Sequence, residues 1–377
     1  MNEILFGDNR ATMKKLADQG VKVQMCVTSP PYFGLRDYGT ATWEGGDPNC
    51  NHFRDTKFNA DCTTGHSGMG DVSAAVGDAI YKDVCKKCGA KRVDQQIGLE
   101  ETPEAFVENL VDVFRHVREI LADDGVIFVN MGDSYYNYRN SSGEDFAKQT
   151  VATTRQNLPL KSPSRSNVLK GLKNKDLIGV PWMLAFALRA DGWYLRQDII
   201  WHKPNPMPES VKDRCTKAHE YIFLLSKNPQ YYWDDDAIKV PATSTDTTNR
   251  DRDSTKLNNT PGRTTMQGLK TNHYTMAKKR SVWTVNTKPY KGAHFATYPE
   301  ELIEPCILAG SRFGDIVFDP FMGSGTTAAV AIKNGRQYLG CDLNPDYKEL
   351  QDQRIREAHA EKLPILEGDP NSLFEFE

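Results

Sequence analysis

The chain has 377 residues with a formal net charge of -3, and 39% of the residues are hydrophobic, which is enough for one large core with an insertion or two modest domains. It contains no run of about 18 apolar residues to span a bilayer, and its start, "MNEILFGDNRATMKK", lacks the basic and apolar segments of a signal peptide. We therefore expect a cytoplasmic protein whose eight cysteines are thiols or metal ligands rather than disulfides.

The first half of the chain predicts a strand, a stiff corner and a helix. The apolar run "VQMCV" at 23–27 is typical of a buried strand, and "TSPPY" at 28–32 follows it directly. A helix is expected to begin after Thr102 as N-cap, with Pro103 in its first position. Its apolar residues recur on one helical face: Phe106, Leu110, Phe114, Val117 and Leu121.

The remaining elements continue this alternation. A strand is predicted in "GVIFVNMGD", a helix in "DLIGVPWMLAFALRADG", and strands in "WYLRQDIIWHKPN" and "HEYIFLLSK". A final unit consists of the strand "DIVFD", a glycine turn, the helix "TTAAVAIKNG", the strand "RQYLGCDL" and a helix from Pro345. This order predicts an α/β, Rossmann-like fold with a mostly parallel sheet and helices on both faces.

The final unit also carries a nucleotide-type binding motif. Gly323 and Gly325 allow a tight turn between Asp319 and the next helix, and Asp342 ends the following strand. A carboxylate in that second position binds ribose hydroxyls. Asp319 would repel a pyrophosphate but could hold the cationic end of S-adenosylmethionine, and Ala328 replaces the third glycine of a dinucleotide site. The motif therefore favours S-adenosylmethionine over NAD.

A polar stretch between Thr40 and Ile97 contains metal-ligand residue types. Cys85 and Cys88 form a Cys-x-x-Cys knuckle, and together with Cys50 and His52 they offer four tetrahedral ligands for a structural zinc ion. Cys62 and His66 are a competing pair. The stretch has few apolar residues, so metal binding would help it to fold.

Two polar stretches, 139–175 and 243–281, are rich in lysine and arginine and poor in core-forming residues. We interpret both as loop regions, and the presence of two such loops in one chain favours contact with phosphates.

The motifs resemble those of the β-group amino DNA methyltransferases. "TSPPY" at 28–32 precedes "DPFMGSGTT" at 319–327, as in that group. Further matching blocks are "GDNR" at 7–10, "IIWHKPNPMPES" at 199–210, "HEYIFLLSKNP" at 219–229 and "HFATYPEEL" at 294–302. The resemblance implies a methyltransferase sheet, double-stranded DNA as substrate, a cognate restriction endonuclease as a candidate partner, and a bacterial or phage-infected cell as setting.

The resemblance also implies roles for individual residues. It implies a catalytic motif formed by Ser29, Pro30, Pro31 and Tyr32. Cofactor contacts are implied for Asp8, Asp319, Phe321, Gly323, Gly325, Thr326 and Asp342. DNA contacts are expected from Lys278, Lys279 and Arg280, and base contacts from side chains such as Gln267 and Asn272.

The chemistry explains why such a corner is useful. An exocyclic base amine is a poor nucleophile because its lone pair is delocalised into the ring, so the enzyme must orient the amine and accept its hydrogen bonds. Ser29 and a rigid backbone carbonyl can do this, and Tyr32 can stack on an extruded base. The resemblance also implies a target: members of the group whose motif begins with serine are often similar to cytosine-N4 enzymes, so Ser29 favours cytosine N4 over adenine N6.

The expected organisation is a catalytic domain of three segments (1–40, 98–235 and 281–377), a zinc-binding insertion at 41–97 and a target-recognition region at 236–280.

Pro305-Cys306 resembles the nucleophile of cytosine carbon-5 enzymes, but it falls in a predicted helix and is interpreted as part of the core. Alternatives are an inactive zinc-stabilised DNA-binding protein and methylation of RNA or of a protein glutamine. The sequence is compatible with a monomer or a homodimer.

Overall fold

The computed structural model describes residues 1–34, 40–52, 81, 83–136, 171–242, 275–287 and 298–366. Its strands are β1 (Glu3–Phe6), β2 (Val23–Thr28), β3 (Thr42–Glu44), β4 (Lys91–Val93), β5 (Leu121–Met131), β6 (Tyr194–His202), β7 (His219–Ser226), β8 (Val240–Pro241), β9 (Met276–Ala277), β10 (Val282–Thr284), β11 (Ile316–Asp319) and β12 (Gln337–Asp342). Its α-helices are α1 (Asn9–Asp18), α2 (Pro103–Ile120), α3 (Val180–Ala190), α4 (Glu300–Gly310), α5 (Thr326–Lys333) and α6 (Lys348–Leu366).

The central sheet has eight strands in the order β1-β12-β11-β2-β5-β7-β6-β10. Only β7 runs antiparallel to its neighbours β5 and β6, and the other pairs in this sheet are parallel. The prediction of a Rossmann-like, mostly parallel sheet is confirmed. Strands β1 and β10 are absent from the predicted elements because segments of four and three residues carry little periodicity.

Helices cover both faces of the sheet. Along β5, Ile127 and Val129 pack with α1, α2 and α3, whereas Val126 and Phe128 pack with α4, α5 and α6. This alternation follows from the two-residue period of a strand. Helix α2 begins as predicted, because the Thr102 side chain accepts a hydrogen bond from the Ala105 N–H at 3.1 Å.

Two short antiparallel pairs lie outside the central sheet. Strand β3 pairs with β4 inside the stretch that was expected to bind zinc. Strands β8 and β9 form an antiparallel pair, with Val240 opposite Ala277 and Pro241 opposite Met276, so they bring together the described residues on either side of the basic stretch. Among the helices of the described segments, none is both long enough and apolar enough to cross a membrane.

Candidate active site

The predicted catalytic corner and the glycine turn lie side by side. Strands β2 and β11 are parallel neighbours, with Cys26 opposite Phe318, so their carboxyl ends emerge at the same edge of the sheet. At that edge the Thr28 hydroxyl donates a 2.6 Å hydrogen bond to the Asp319 carboxylate across a separation of 291 positions in sequence. The two motifs therefore share one cleft.

Asp319 is buried and connects several elements of the site through hydrogen bonds. Only 1% of the residue is exposed to solvent. Four donors satisfy its carboxylate: the hydroxyls of Thr28 and Thr327, each at 2.6 Å, the Phe321 N–H at 2.9 Å and the Tyr298 hydroxyl at 3.0 Å. Burial raises the pKa of this carboxyl, although the four donors oppose the shift.

This arrangement differs from the simple expectation for Asp319. The residues that line the cleft include its neighbour Pro320 but not Asp319 itself. A direct contact between its carboxylate and the cofactor therefore stays a prediction. Tyr298, which lines the cleft and also donates to Asp319, had no role in the sequence prediction beyond its place in a matching block.

The cleft is open to solvent, and its lining combines polar side chains with apolar ones, as is typical of sites for small ligands. Several predicted residues line it: Asp8, Ser29, Pro31, Phe321, Gly323, Thr326 and Asp342. Other lining residues were not singled out by the sequence: Gln95, Gln96, Ile97, Met322, Ser324, Leu343, Asn344 and Tyr347. Their sequence signal is weak because most of them follow strand ends on separate parts of the chain.

The glycine turn depends on backbone conformations that favour glycine. Gly323 and Gly325 have φ values of +53° and +80°, in the left-handed region. Gly325 is the N-cap of α5, which places Thr326 in the first helical position against the cleft. The turn therefore places the amino end of α5 against the cleft, and a helix end of this kind favours anionic or polar groups of a ligand.

Asp342 lies across the cleft at the end of β12. Its carboxylate accepts hydrogen bonds from the Asn344 N–H at 2.9 Å and from the Gln351 side chain at 3.1 Å. Gln351 also donates to the Gly323 carbonyl at 2.8 Å, which connects the acidic residue to the glycine turn. Burial raises the pKa of Asp342 to about 7.

Asp8 lies beside Asp342 because β1 and β12 are parallel neighbours. It is the N-cap of α1, and its carboxylate accepts from the N–H groups of Arg10 and Ala11. It also pairs with the Arg10 guanidinium at 2.9 Å. The hydrogen bonds to Arg10 and Ala11 lower the pKa of Asp8 although burial opposes them.

The catalytic corner is held by packing and hydrogen bonds. Ser29 and Pro31 face the cleft, whereas Pro30 is buried. Tyr32 does not line the cleft surface, and its hydroxyl donates to Glu220 at 2.7 Å. A Cβ added at Gly132 would lie 2.6 Å from the Tyr32 ring, so the ring rests directly on that backbone. Burial raises the pKa of Tyr32 well above its usual value.

The four predicted metal ligands converge. The ligand atoms of Cys50, His52, Cys85 and Cys88 all lie within 4.8 Å of one another. The sulfurs of Cys50 and Cys85 are 3.8 Å apart, and the Cys88 sulfur is 3.6 Å from His52 Nδ1. A zinc tetrahedron with bonds of about 2.3 Å to sulfur and 2.05 Å to nitrogen has S–S edges of about 3.8 Å and S–N edges of about 3.6 Å. Cys62 and His66, the competing pair, lie outside the described residues.

Backbone details support this cluster. His52 has φ +54°, a conformation rarely adopted by non-glycine residues and often found at functional sites. Its ring stacks on Trp43 with centroids 4.2 Å apart. In the knuckle, the Gly89 N–H donates to the Cys85 carbonyl at 2.8 Å. The cluster is thus built by a local turn and by the β3–β4 pair.

The cluster is also connected to the cleft. Strand β4 leads directly from Cys88 to Gln95, Gln96 and Ile97 in the cleft wall. The Gly34 N–H then donates to the Gly98 carbonyl at 2.8 Å, beside the catalytic corner.

The predicted DNA-contacting residues line a second, open cavity. Lys278, Lys279 and Arg280 lie there, next to the β8–β9 pair. Lys278 pairs with Asp235 at 3.2 Å, and the Lys279 ammonium lies 5.1 Å from the Trp283 ring centroid. Gln267 and Asn272, and most of the two basic stretches, lie outside the described residues.

Cys306 is a core residue, as predicted. It lies within α4, is 1% exposed and contacts the Leu302 carbonyl through its sulfur. Burial raises the pKa of its thiol, which disfavours the thiolate that a nucleophile requires.

The fold and site define an α/β protein with a ligand cleft at the carboxyl edge of a doubly wound sheet. The DNA methylase family model for N6 and N4 enzymes matches residues 23–353. The Type II methyltransferase M.Cfr9I of Citrobacter freundii is 37% identical over 350 residues, which cover 93% of this chain and 86% of that protein. The Type II methyltransferase M.SmaI of Serratia marcescens is 37% identical over 353 residues, which cover 94% of this chain and 90% of that protein. The solved PvuII DNA methyltransferase, described as cytosine-N4-specific, shares the fold with a TM-score of 0.51 at 14% identity, over 98% of this chain and 94% of that one.

This chain belongs to the N6/N4 DNA methylase family. It is an S-adenosylmethionine-dependent DNA methyltransferase that acts on an exocyclic amine.

Proposed function

We propose that this enzyme methylates cytosine N4 in duplex DNA, with adenine N6 as the alternative target. The hydrogen bond between Thr28 and Asp319 carries the proposal, because it places Ser29 against the same cleft as the glycine turn. The preference for cytosine comes from the serine at the start of the motif. We also propose a catalytic domain of the segments 1–40, 98–235 and 281–377, a zinc-binding insertion at 41–97 and a target-recognition region at 236–280.

In this proposal the catalytic corner binds the target amine. The Ser29 hydroxyl and the Pro30 carbonyl accept hydrogen bonds from the amine, which orients its nitrogen toward the cleft. Pro30 and Pro31 fix φ and keep that carbonyl in place. Tyr32 provides an aromatic surface for the extruded base, and stacking of this kind is worth about 1 to 3 kcal/mol per base.

The opposite part of the cleft fits S-adenosylmethionine, which supplies an electrophilic methyl group when bound. Asp342 would accept hydrogen bonds from ribose hydroxyls, and Phe321 would pack on apolar parts of the cofactor. Gly323, Gly325 and Thr326 would hold its remainder through the turn and the start of α5. Asp8, which also lines the cleft, would contact the cofactor there. Asp319 would hold the glycine turn in place through its hydrogen bond with the Phe321 N–H. A direct contact with the cofactor would require Asp319 to give up one of its four hydrogen bonds.

Identification of the modified base tests the target. DNA methylated by the purified enzyme should contain N4-methylcytosine when its nucleosides are separated and identified by mass spectrometry. The Ser29→Ala variant should lose about 10²-fold in kcat, because one preorganised hydrogen-bond partner is removed. Its affinity for S-adenosylmethionine should stay within about twofold, since the glycine turn and Asp342 are unchanged. Detection of N6-methyladenine alone would reject the cytosine preference.

Cofactor affinity should depend on pH through Asp342. Its pKa is raised to about 7, so the carboxyl is protonated at lower pH and accepts hydrogen bonds from hydroxyls less well. The Kd for S-adenosylmethionine should therefore rise by about tenfold per pH unit below 7 and level off above it. Calorimetric titrations between pH 5.5 and 8.5 would measure this. Asp342→Asn should bind more weakly with a flat profile, and a flat wild-type profile would contradict the assignment.

We propose that Cys50, His52, Cys85 and Cys88 hold one structural zinc ion. The Cys50–Cys85 and Cys88–His52 distances match the edges of a zinc tetrahedron, and all four positions are filled by protein groups, as in structural rather than catalytic zinc sites. The ion would fix β4 and, through it, the cleft wall at 95–97.

Metal analysis tests the zinc site. Purified wild-type protein should contain about one zinc per chain. Cys85→Ser should lose the metal, whereas Cys215→Ser, which changes an exposed cysteine outside the cluster, should retain it. Cys85→Ser should also bind S-adenosylmethionine more weakly because Gln95, Gln96 and Ile97 line the cleft. A folded wild-type protein without zinc would refute the site.

We assign DNA phosphate contacts to Lys278, Lys279 and Arg280. They directly follow β9, and they supply three positively charged side chains beside one open cavity.

Salt dependence tests this assignment. Replacement of all three residues with glutamine should reduce the slope of log Kd against log salt concentration by about 0.9 for each lost phosphate contact, or about 2 to 3 in total. Lys15→Gln, on the exposed side of α1, is the matched control and should leave the slope unchanged. An unaltered slope in the triple variant would contradict the assignment.

A further inference from the structure

A chain of hydrogen bonds leads from Tyr32, the aromatic residue of the catalytic corner, to an ion pair on neighbouring strands. The Tyr32 hydroxyl lies 2.7 Å from Glu220 and 3.3 Å from the Asn130 side-chain oxygen. Glu220 in turn pairs with Lys203, and these two charged side chains are only 15% and 17% exposed.

Three strands hold this network rigidly. Asn130 lies near the end of β5, Glu220 near the start of β7, and Lys203 directly after β6. Asn130 donates to Glu220 at 3.3 Å and to the Tyr221 carbonyl at 3.1 Å. The Lys203 ammonium also lies 4.1 Å from the Trp201 ring centroid. The network is therefore fixed to the sheet rather than to a surface loop.

The Tyr32 hydroxyl has one proton, and its nearest acceptor is the Glu220 carboxylate at 2.7 Å. The second acceptor, the Asn130 side-chain oxygen, lies at 3.3 Å. The shorter bond to Glu220 therefore sets the direction of the Tyr32 hydroxyl.

The Tyr32 ring is restrained from a second side as well. Gly132 has no side chain at the point where the ring lies, and a Cβ there would be 2.6 Å from Tyr32 Cε2. Because Glu220 holds the hydroxyl, the ring could not swing away freely to relieve that contact. The position of the ring is thus set by Gly132 and Glu220 together.

We propose that Glu220, held by Lys203 and Asn130, is a positioning residue for methyl transfer: it fixes the orientation of the Tyr32 ring, on which the extruded base is proposed to stack. This inference rests on the proposed role of Tyr32. Lys203 contributes by neutralising a carboxylate that would otherwise be costly to bury. Neither charged residue needs to contact the cofactor.

A double-mutant cycle between Glu220 and Tyr32 tests the proposal. Glu220→Ala should lower kcat for DNA methylation by about 10²-fold, since loss of orientation of this kind has large kinetic effects. The KM for S-adenosylmethionine should change by less than about threefold because the cofactor part of the cleft is untouched. Tyr32→Phe keeps the ring but removes the hydroxyl, and it should show a similar loss. The double variant should be no slower than Tyr32→Phe alone, because Glu220 acts through that hydroxyl.

Two further variants keep the test informative if Glu220→Ala folds poorly. Glu220→Gln retains an acceptor oxygen and should recover part of the lost kcat. Gly132→Ala displaces the Tyr32 ring without altering Glu220, and it should lower kcat while cofactor affinity is retained. Cofactor binding and the thermal midpoint report on folding in each case.

The outcomes separate this inference from the proposed function. Wild-type protein that transfers no methyl group to DNA would overturn both. Wild-type activity that is unchanged in the Glu220 variants, or effects of Glu220→Ala and Tyr32→Phe that multiply in the double variant, would overturn the positioning role alone.

Discussion

The buried carboxylate of Asp319 is the interaction on which the site depends. It binds donors from β2, from the glycine turn, from α5 and from Tyr298, so one side chain connects the elements that build both parts of the cleft. A buried carboxylate is costly unless its oxygens are satisfied. The four donors offset that cost, and they also fix the separation between the catalytic corner and the turn.

Two peripheral structures extend this central arrangement. The cluster of Cys50, His52, Cys85 and Cys88 is followed by β4 and then by Gln95, Gln96 and Ile97 in the cleft wall, so the region around this cluster contributes to the site. On the other side, the ion pair of Glu220 and Lys203 supports Tyr32 from strands β7 and β6. The catalytic corner is therefore held by β7 of the central sheet, through Glu220, and by the segment that follows β4, through the bond between Gly34 and Gly98.

Local chemistry made much of this predictable from sequence. The glycines at 323 and 325, the prolines at 30 and 31 and the capped start of α2 each depend on neighbouring residues, and the structure places them as expected. The four cysteine and histidine ligands could be proposed from spacing. Their convergence could not be deduced, because Cys62 and His66 form a competing pair in sequence.

Residues whose role depends on distant partners were not predictable. In sequence, Asp319 stands next to the glycine turn and was therefore predicted to contact the cofactor. Its hydrogen bond with Thr28 could not be predicted, because Thr28 becomes a neighbour only when β2 and β11 pair. Glu220 lies in a strand with an ordinary apolar pattern, and nothing nearby in sequence indicates its contact with Tyr32. In both cases the missing information is the order of strands in the sheet.

A crystal structure of the protein with S-adenosylmethionine would test the central claim most directly. The account predicts that the cofactor lies between the glycine turn and Asp342, with its sulfonium methyl directed across the cleft toward Ser29 and the Pro30 carbonyl. Density for the cofactor in another cavity, or a methyl group directed away from the catalytic corner, would contradict it.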